Sequence, residues 1–266
     1  MPNKVTVSFI GCGAMGGALV RAICKKYNPQ LVVVSDAHGE SAQALAKETG
    51  CRAVRTNVEA ASLGKYVFLA VKPAAIANVV REISDALQDE AALISMAAGV
   101  TLEKLRALTS KPIVRIMPNT PAQVAEGMIA LCCTSDVPEH DIYAITTLLG
   151  HAGVVERVDE TLFNCVTAVS GSGPAYVFLF IEALADAAVR CGMTRVQAYT
   201  YAAQTVKGAA VMVQQSEKTP AQLKDSVCSP GGTTIEALAA LEKGGLRSTV
   251  FDAVKAAYER AIALGT

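Results

Sequence analysis

Val5-Thr6-Val7-Ser8-Phe9-Ile10-Gly11-Cys12-Gly13-Ala14-Met15-Gly16 is the stretch that decides the fold. Its first half is a short apolar run rich in β-branched residues, which reads as a buried strand. Its second half fits G-x-G-x-x-G and passes directly into a helical pattern from Ala14 to about Lys26. In that setting each glycine has its own duty: Gly11 makes the tight turn, Gly13 lets a pyrophosphate approach the backbone, and Gly16 seats the helix close to the strand. The helix start then aims unpaired N–H groups and its positive dipole end at the phosphates. The competing reading is a glycine-rich turn that serves packing alone.

The next strand-like run, Leu31 to Ser35, ends at Asp36. An acid there accepts hydrogen bonds from a ribose 2′-hydroxyl and repels a 2′-phosphate, which leans towards NADH. Ser35 and His38 beside it still offer contacts to a phosphate. Alternatively, Asp36 only caps the following helix, Glu40 to Thr49.

Working outward, strands are expected at Val5–Ile10, Leu31–Ser35, Tyr66–Val71, Ala92–Ser95, Ile113–Met117, Met128–Cys133 and Val154–Glu156. Helical patterns intervene at Met15–Lys26, Glu40–Thr49, Ala75–Leu87, Leu102–Leu108 and Glu139–Leu149. Such alternation predicts an α/β fold, a Rossmann-type doubly wound parallel sheet, with the last strands as an antiparallel edge extension. From Glu160 the pattern turns all-helical: Leu162–Val169, Ala175–Cys191, Arg195–Gln215, Ala221–Ser226, Thr234–Lys243 and Leu246–Leu264, with breaks at Gly171-Ser172-Gly173-Pro174, Gly192, Pro220 and Gly244-Gly245. The expected domains are therefore 1–159, binding a dinucleotide, and 160–266, an all-helical C-terminal domain.

The 266 residues carry 24 basic and 24 acidic side chains, so no charged field points to nucleic acid or an anionic membrane. Hydrophobic residues make up 52% of the chain and mean hydropathy is +0.34, an excess expected to be buried between subunits of a homodimer. Strand residues begin by Val5, so no signal peptide is expected. The apolar helix Ala175 to Val189 carries Glu182 and Asp186 and reads as too short and too charged to span a bilayer. Eight cysteines without a C-x-x-C pair and three histidines give no metal site. Buried free thiols in a reducing cytoplasm are the expectation.

Four loops fall at the carboxyl ends of expected strands, where a doubly wound sheet places its ligand. Besides the glycine turn they are Ala70-Val71-Lys72-Pro73, Met96-Ala97-Ala98-Gly99 and Met117-Pro118-Asn119-Thr120-Pro121. Pro73 suits a first helical position, and Lys72 stands where it can meet phosphate or ribose. The small residues around Ala97 let a flat ring lie on backbone. The Asn119 amide can read a carboxamide. For Lys72 and the two prolines, a solvated side chain and loop stiffening are the alternatives.

In the helical half, Cys228-Ser229-Pro230-Gly231-Gly232-Thr233-Thr234 opens a helix with free N–H groups beside hydroxyls, a seat for a small carboxylate without any arginine. Ser170-Gly171-Ser172-Gly173-Pro174-Ala175-Tyr176 reads as a flexible turn before a proline-started helix. Glu160 is a candidate for a substrate ammonium or iminium nitrogen. These turns hold no lysine or histidine to manage a hydroxyl proton. A protonated C=N needs mainly positioning and exclusion of water, and the Thr234 hydroxyl suffices to orient it. The chemistry points to C=N reduction. A β-hydroxyacid dehydrogenase would need a helical-domain lysine, for which Lys207 and Lys224 are the candidates.

The segments Phe9–Gly16, Phe68–Pro73, Arg115–Pro121, Ala168–Tyr176 and Leu223–Thr234 together resemble pyrroline-5-carboxylate reductase over essentially the whole chain. The resemblance implies reduction of 1-pyrroline-5-carboxylate, a cyclic imino acid, to L-proline with NADPH or NADH, in the last step of proline biosynthesis. It implies an interlocked homodimer, with rings of five dimers in many relatives. Carried over by position, Ile10, Gly11, Cys12, Gly13, Ala14 and Met15 meet the pyrophosphate. Asn57 lies at the adenosine end, Ala70, Val71, Lys72, Pro73 and Ala97 lie along the cofactor, and the nicotinamide sits near Ala97 and the Pro118–Asn119 loop. Ser226, where some members have Asn, is a further cofactor contact. Glu160 falls in the substrate region, while Gly232, Thr233 and Thr234, with Ser229, hold the carboxylate. The pair Ser35-Asp36 replaces small polar residues common in relatives, which puts NADPH preference in question.

Overall fold

The computed structural model describes residues 6–265; Val5, which opens the first expected strand, lies outside them. Eight strands form one sheet: β1 (Val7–Ile10), β2 (Val32–Ser35), β3 (Arg52–Ala53), β4 (Tyr66–Leu69), β5 (Ala92–Ser95), β6 (Ile113–Met117), β7 (Gly127–Cys133) and β8 (Gly153–Arg157). Their order is β3-β2-β1-β4-β5-β6-β7-β8. All pairs run parallel except β6 with β7, so the edge extension contains one antiparallel step and β8 returns to run parallel to β7. The order reverses between β1 and β4, which makes their carboxyl ends the switch point where such sheets take ligands.

Helices α1 (Ala14–Cys24), α2 (Gly39–Thr49), α3 (Asn57–Leu63), α4 (Ile76–Ile83), α5 (Leu102–Arg106) and α6 (Glu139–Leu149) cover both faces. Alternation along β1 divides the core. Val7 and Phe9 join Leu19, Ile23 and Val34 on one side, with Phe9 stacked on Phe68 at 4.4 Å between ring centroids. Ile10 joins Val33, Leu69, Ile76 and Leu93 on the other. Each such side chain contributes about 1.5–3 kcal/mol through burial.

Two elements were absent from the sequence reading. The edge strand β3 has only two residues and no periodicity to detect. Helix α3 did leave a signal: Thr56 caps it, accepting from the Glu59 N–H at 3.1 Å, in a Thr-x-x-Glu spacing typical of helix starts. The buried Ser8 hydroxyl on β1 donates to the Ala60 carbonyl at 2.6 Å and fastens α3 to the sheet.

Beyond the sheet, Glu160–Leu162 forms a 3-10 turn, followed by α7 (Phe163–Val166) and a π turn over Thr167–Gly171. The Ser172 N–H donates to the Thr167 carbonyl at 2.9 Å and carries the helix straight into α8 (Gly173–Arg190). The flexible turn expected at Ser170–Tyr176 is therefore corrected to a π step, an extra residue absorbed inside a helix. This lengthens the apolar helix. Residues 160–190 are the one run, among the described residues, long and apolar enough to cross a membrane by length and composition. The expectation that this helix is too short fails; Glu182 and Asp186 remain as charges within it, with Glu160 and Arg190 at its ends.

The remaining helices are α9 (Arg195–Gln215), α10 (Pro220–Ser226), α11 (Thr233–Lys243) and α12 (Leu246–Gly265). The described chain forms two compact units, residues 6–172 with 257–265, and residues 173–256. The first unit reaches past 159 because Phe163 is buried beside Met117, Ala130 and Cys132 of the sheet. In the second unit α8 and α9 pack through Ala185, Ala198 and Ala202, whose small side chains let the helices close in. Gly192 takes the left-handed conformation between them at φ +103°, and a Thr194–Gln197 capping box starts α9. This core is too thin for the unit's apolar content, and Val177, Phe178, Leu179 and Phe180 stay exposed on α8.

The thiols depart in part from expectation. Cys51 and Cys132 are buried, whereas Cys165 and Cys191 are exposed. All eight cysteines are free, and no group of His, Cys, Asp and Glu fit for a metal occurs among the described residues.

A buried carboxylate braces the sheet. Asp141 of α6 accepts from the Tyr66 hydroxyl at 2.6 Å and pairs with Lys65 at 2.6 Å. Removing it leaves a phenol and an ammonium without their acceptor. Asp141→Ala is expected to lower the unfolding free energy by about 3 kcal/mol, read from urea denaturation.

Candidate active site

The Gly11–Gly16 turn lies between the carboxyl ends of β1 and β4. Gly11 sits at φ +106°, and a β carbon there would lie 2.5 Å from the Ala70 carbonyl oxygen. One at Gly16 would strike the Gly11 carbonyl and the Ala70 methyl. Both glycines are needed for packing. Gly13 differs: nothing lies within 4 Å of the β carbon it lacks, so its open side is available to a ligand. It is the N-cap of α1, offers no side-chain cap, and no acid stands in the first helical turn. Free N–H groups, a positive helix end and an open glycine face fit a pyrophosphate. Packing therefore requires Gly11 and Gly16, whereas it does not account for Gly13.

Asp36 stands at the same edge. Its carboxylate accepts from the Cys12 N–H at 2.6 Å and the His38 N–H at 2.8 Å. It does not cap α2, whose N-cap is His38. The Cys12 thiol beside it is pushed up to about 12, by burial first and then by the Asp36 charge. Ser35 donates its hydroxyl to the Asn57 side-chain oxygen at 3.0 Å, and Asn57 donates to Glu82 at 3.0 Å. The structure thus gathers Ser35, Asp36 and Asn57 where a dinucleotide fold holds its adenosine ribose.

At the end of β4, the Ala70 N–H donates to the Ile10 carbonyl at 2.8 Å, which ties the second loop to the first. Lys72 is exposed, and Pro73 takes the first position of a short 3-10 turn, as its fixed φ favours. Ala97, after β5, is buried.

The fourth loop is tied down by its asparagine. The Asn119 side chain donates to the Ser170 carbonyl at 3.1 Å and accepts from the Met128 N–H at 2.9 Å. Its amide is engaged at both ends and fastens the loop between β7 and the π turn. Glu160 is likewise engaged. Its Oε1 accepts from Arg115 at 2.7 Å and from the Leu102 N–H at 2.7 Å, the first N–H of α5. Arg115 is buried over the Phe163 ring, 4.5 Å from its centroid. Glu160 therefore holds a structural joint beside a cleft of about 370 Å³ that it shares with Thr101, Thr161 and Asn164. Arg115 was missed as a site residue; a lone arginine in an apolar strand was the available signal.

In the helical unit, Gly231 is at φ +66° and the Gly232 N–H donates to the Ser229 carbonyl at 3.0 Å, forming the expected turn. Gly232 is the N-cap of α11 and provides no side-chain cap, whereas Thr194 and Thr219 cap α9 and α10 with full capping boxes. The first N–H groups of α11 stay open beside the hydroxyls of Thr233 and Thr234, which suits an anion. Ser226 donates its hydroxyl back to Leu223 within α10. Lys224 pairs with Asp225, which pushes its amine up and makes it a poorer proton donor; Lys207 is exposed on α9.

Compared with known proteins, residues 160–264 match the pyrroline-5-carboxylate reductase dimerisation family. The pyrroline-5-carboxylate reductase of Escherichia coli is 42% identical, over 96% of this chain and 96% of that one. The chain belongs to the pyrroline-5-carboxylate reductase family. Residues 6–99 also match the family described as NADP oxidoreductase coenzyme F420-dependent. Among solved structures, a pyrroline-5-carboxylate reductase from Coxiella burnetii superposes with TM-score 0.92 at 35% identity, covering 99% of this chain and 100% of that one. A Plasmodium falciparum pyrroline carboxylate reductase with NADP bound gives 0.89 at 33% identity, covering 99% of each chain. The reductase family thus spans both units, and the resemblance read from motifs is borne out along the whole chain.

Two tests follow from this geometry. Gly11→Ala should cost more than about 2 kcal/mol of stability, whereas Gly13→Ala should keep the melting temperature and weaken NADH binding about tenfold, read by fluorescence titration. Because the folded state holds the Cys12 proton more tightly than the unfolded chain does, its stabilisation is complete below the ordinary thiol pKa and is lost as pH rises to about 12. At pH 8, iodoacetamide should therefore label the exposed Cys165 and Cys191 and leave Cys12 unmodified, as read by peptide mass spectrometry.

Proposed function

We infer that the chain reduces 1-pyrroline-5-carboxylate to L-proline by hydride transfer from NADH or NADPH, the last step of proline biosynthesis. The observation that carries this reading is the 42% identity to the Escherichia coli reductase over nearly the full length of both chains. It is an oxidoreductase acting on C=N, and it works as a homodimer on a small cyclic imino acid. The family matched by residues 160–264 is described by its dimerisation, and the bare apolar face of α8 supplies a surface for it.

The division of labour among residues is part of the proposal. A bound dinucleotide supplies the hydride. Ile10 to Met15 receive its pyrophosphate, with Gly13 as the open face. Ser35, Asp36 and Asn57 take the adenosine ribose. Ala70 to Pro73 and Ala97 border the cofactor, and Pro118 and Asn119 stiffen the loop at the nicotinamide end. Ser226 is a further cofactor contact. Gly232, Thr233 and Thr234 hold the substrate carboxylate through the open N–H groups of α11, with Ser229 closing the turn. The Thr234 hydroxyl orients the ring nitrogen, which takes its proton from solvent, either directly or through Thr234, whose hydroxyl proton is replaced from solvent in the same step. Glu160 serves the substrate region by keeping Arg115 and the start of α5 in place. The functional domains are taken as 1–159 and 160–266, since the dimerisation match begins at Glu160.

Rings of five dimers are proposed as the assembly, and the cytoplasm as the compartment. A second copy of this chain, instead of a bilayer, then covers α8; Glu182 and Asp186 on that helix favour a protein cover over lipid. Balanced charge supports the absence of a nucleic-acid partner.

Absorbance at 340 nm should fall when racemic pyrroline-5-carboxylate is added with NADH or NADPH, and proline should accumulate. Thr234→Ala should lose at least about tenfold in kcat/KM while NADH affinity stays at wild type, since about 1.4 kcal/mol of transition-state positioning goes with the hydroxyl. Unchanged turnover in that variant would remove Thr234 from the mechanism.

A further inference from the structure

Gly99, the last residue of the Met96–Gly99 loop, adopts φ +76°, and a β carbon there would lie 2.6 Å from the Leu264 carbonyl oxygen. The last turn of α12 therefore lies against this loop backbone to backbone. The contact is reciprocal: a β carbon on Gly265 would lie 3.4 Å from the Gly99 carbonyl oxygen. Lys104 of α5 donates to the Gly265 carbonyl and tethers the same turn. Ala261, one turn earlier, is buried. Ile262 and Gly265 form part of the wall of the cleft that holds Arg115 and Glu160. All of these residues belong to the sheet-bearing unit. The small residues at 97–99 were expected to leave room for a flat ring, yet the face of Gly99 is filled by main chain from far along the sequence.

We propose that residues Ile262 to Gly265 are a positioning segment for the reaction: their main chain sets the Ala97–Gly99 loop in the conformation that receives the nicotinamide. The reason is mechanical. Ala97 and Ala98 are anchored by their methyls in the core, but Gly99 has no side chain to hold it and glycine admits several backbone conformations. Hydride transfer needs a fixed donor–acceptor geometry, so a loop beside the nicotinamide must be held from outside. The segment touches neither cofactor nor substrate and acts through Gly99. This rests on the reading of Ala97 as a cofactor neighbour, and it names what supports that part of the site.

The test separates the two ends of the dinucleotide. Three variants are compared with wild type: a chain stopped after Ala261, Gly99→Ala, and the milder surface change Lys104→Met. NADH binding is read by fluorescence titration, and binding of ADP-ribose, which lacks the nicotinamide, by calorimetry. The truncation and Gly99→Ala should weaken NADH about tenfold, Lys104→Met about threefold, and ADP-ribose should stay within about twofold throughout. Parallel loss of both ligands, or wild-type NADH affinity in all three variants, would overturn the proposal. If the truncated chain does not fold, as judged by circular dichroism, Lys104→Met decides. Failure of wild-type turnover with pyrroline-5-carboxylate would remove the functional reading instead, while a loss confined to NADH would still locate the nicotinamide loop.

Discussion

A β carbon at position 11 would sit 2.5 Å from the carbonyl oxygen of Ala70, and this near-contact governs the sheet-bearing unit. It joins the end of β1 to the end of β4 where the strand order reverses. The Ala70 N–H donates to the Ile10 carbonyl, and the Gly11 N–H donates to that of Ser35, so three strand ends are tied through one turn. Gly16 lets α1 descend onto the same point. What remains uncovered is the helix start at Gly13, and the cofactor edge is organised around that opening.

The same economy recurs in the helical unit. Helices α9 and α10 are closed by threonine capping boxes, while α11 begins at a glycine with no cap. An uncapped helix start costs stability unless something else meets its N–H groups. The open N–H groups of α11 suit a small carboxylate, and an anion bound there would need no arginine. The buried arginine of the site, Arg115, is spent elsewhere: its pair with Glu160 locks the arm that follows the sheet and lends Glu160 to the first N–H of α5.

Legibility differed by element for physical reasons. Strands β5 and β6 and helices α6 and α9 fell on the residues expected, because burial leaves an unbroken apolar run or a clean helical period in the sequence. Strand β3 left no trace, being held by pairing alone over two residues. The π step at Thr167–Gly171 was misread as a turn because glycine and proline signal breaks in both cases, and only the Ser172-to-Thr167 hydrogen bond distinguishes them. Asn119 and Glu160 were picked out as polar groups in the right loops, but their partners at Ser170, Met128, Arg115 and Leu102 come from segments no local pattern connects.

By itself, the sequence determined the doubly wound sheet, the all-helical second half, both anion-seeking turns and the reductase family. The fold and the two turns are written in short-range chemistry: glycine spacing, hydrophobic period, a helix start without a cap; the family was legible only through the resemblance of whole motifs to known reductases. Only the tertiary structure decided which glycines pack and which stays open, that Asn119 and Glu160 fasten distant segments, and that the last turn of α12 closes on Gly99. Those outcomes depend on which distant backbones come within van der Waals contact, and a one-dimensional spacing carries no record of that approach.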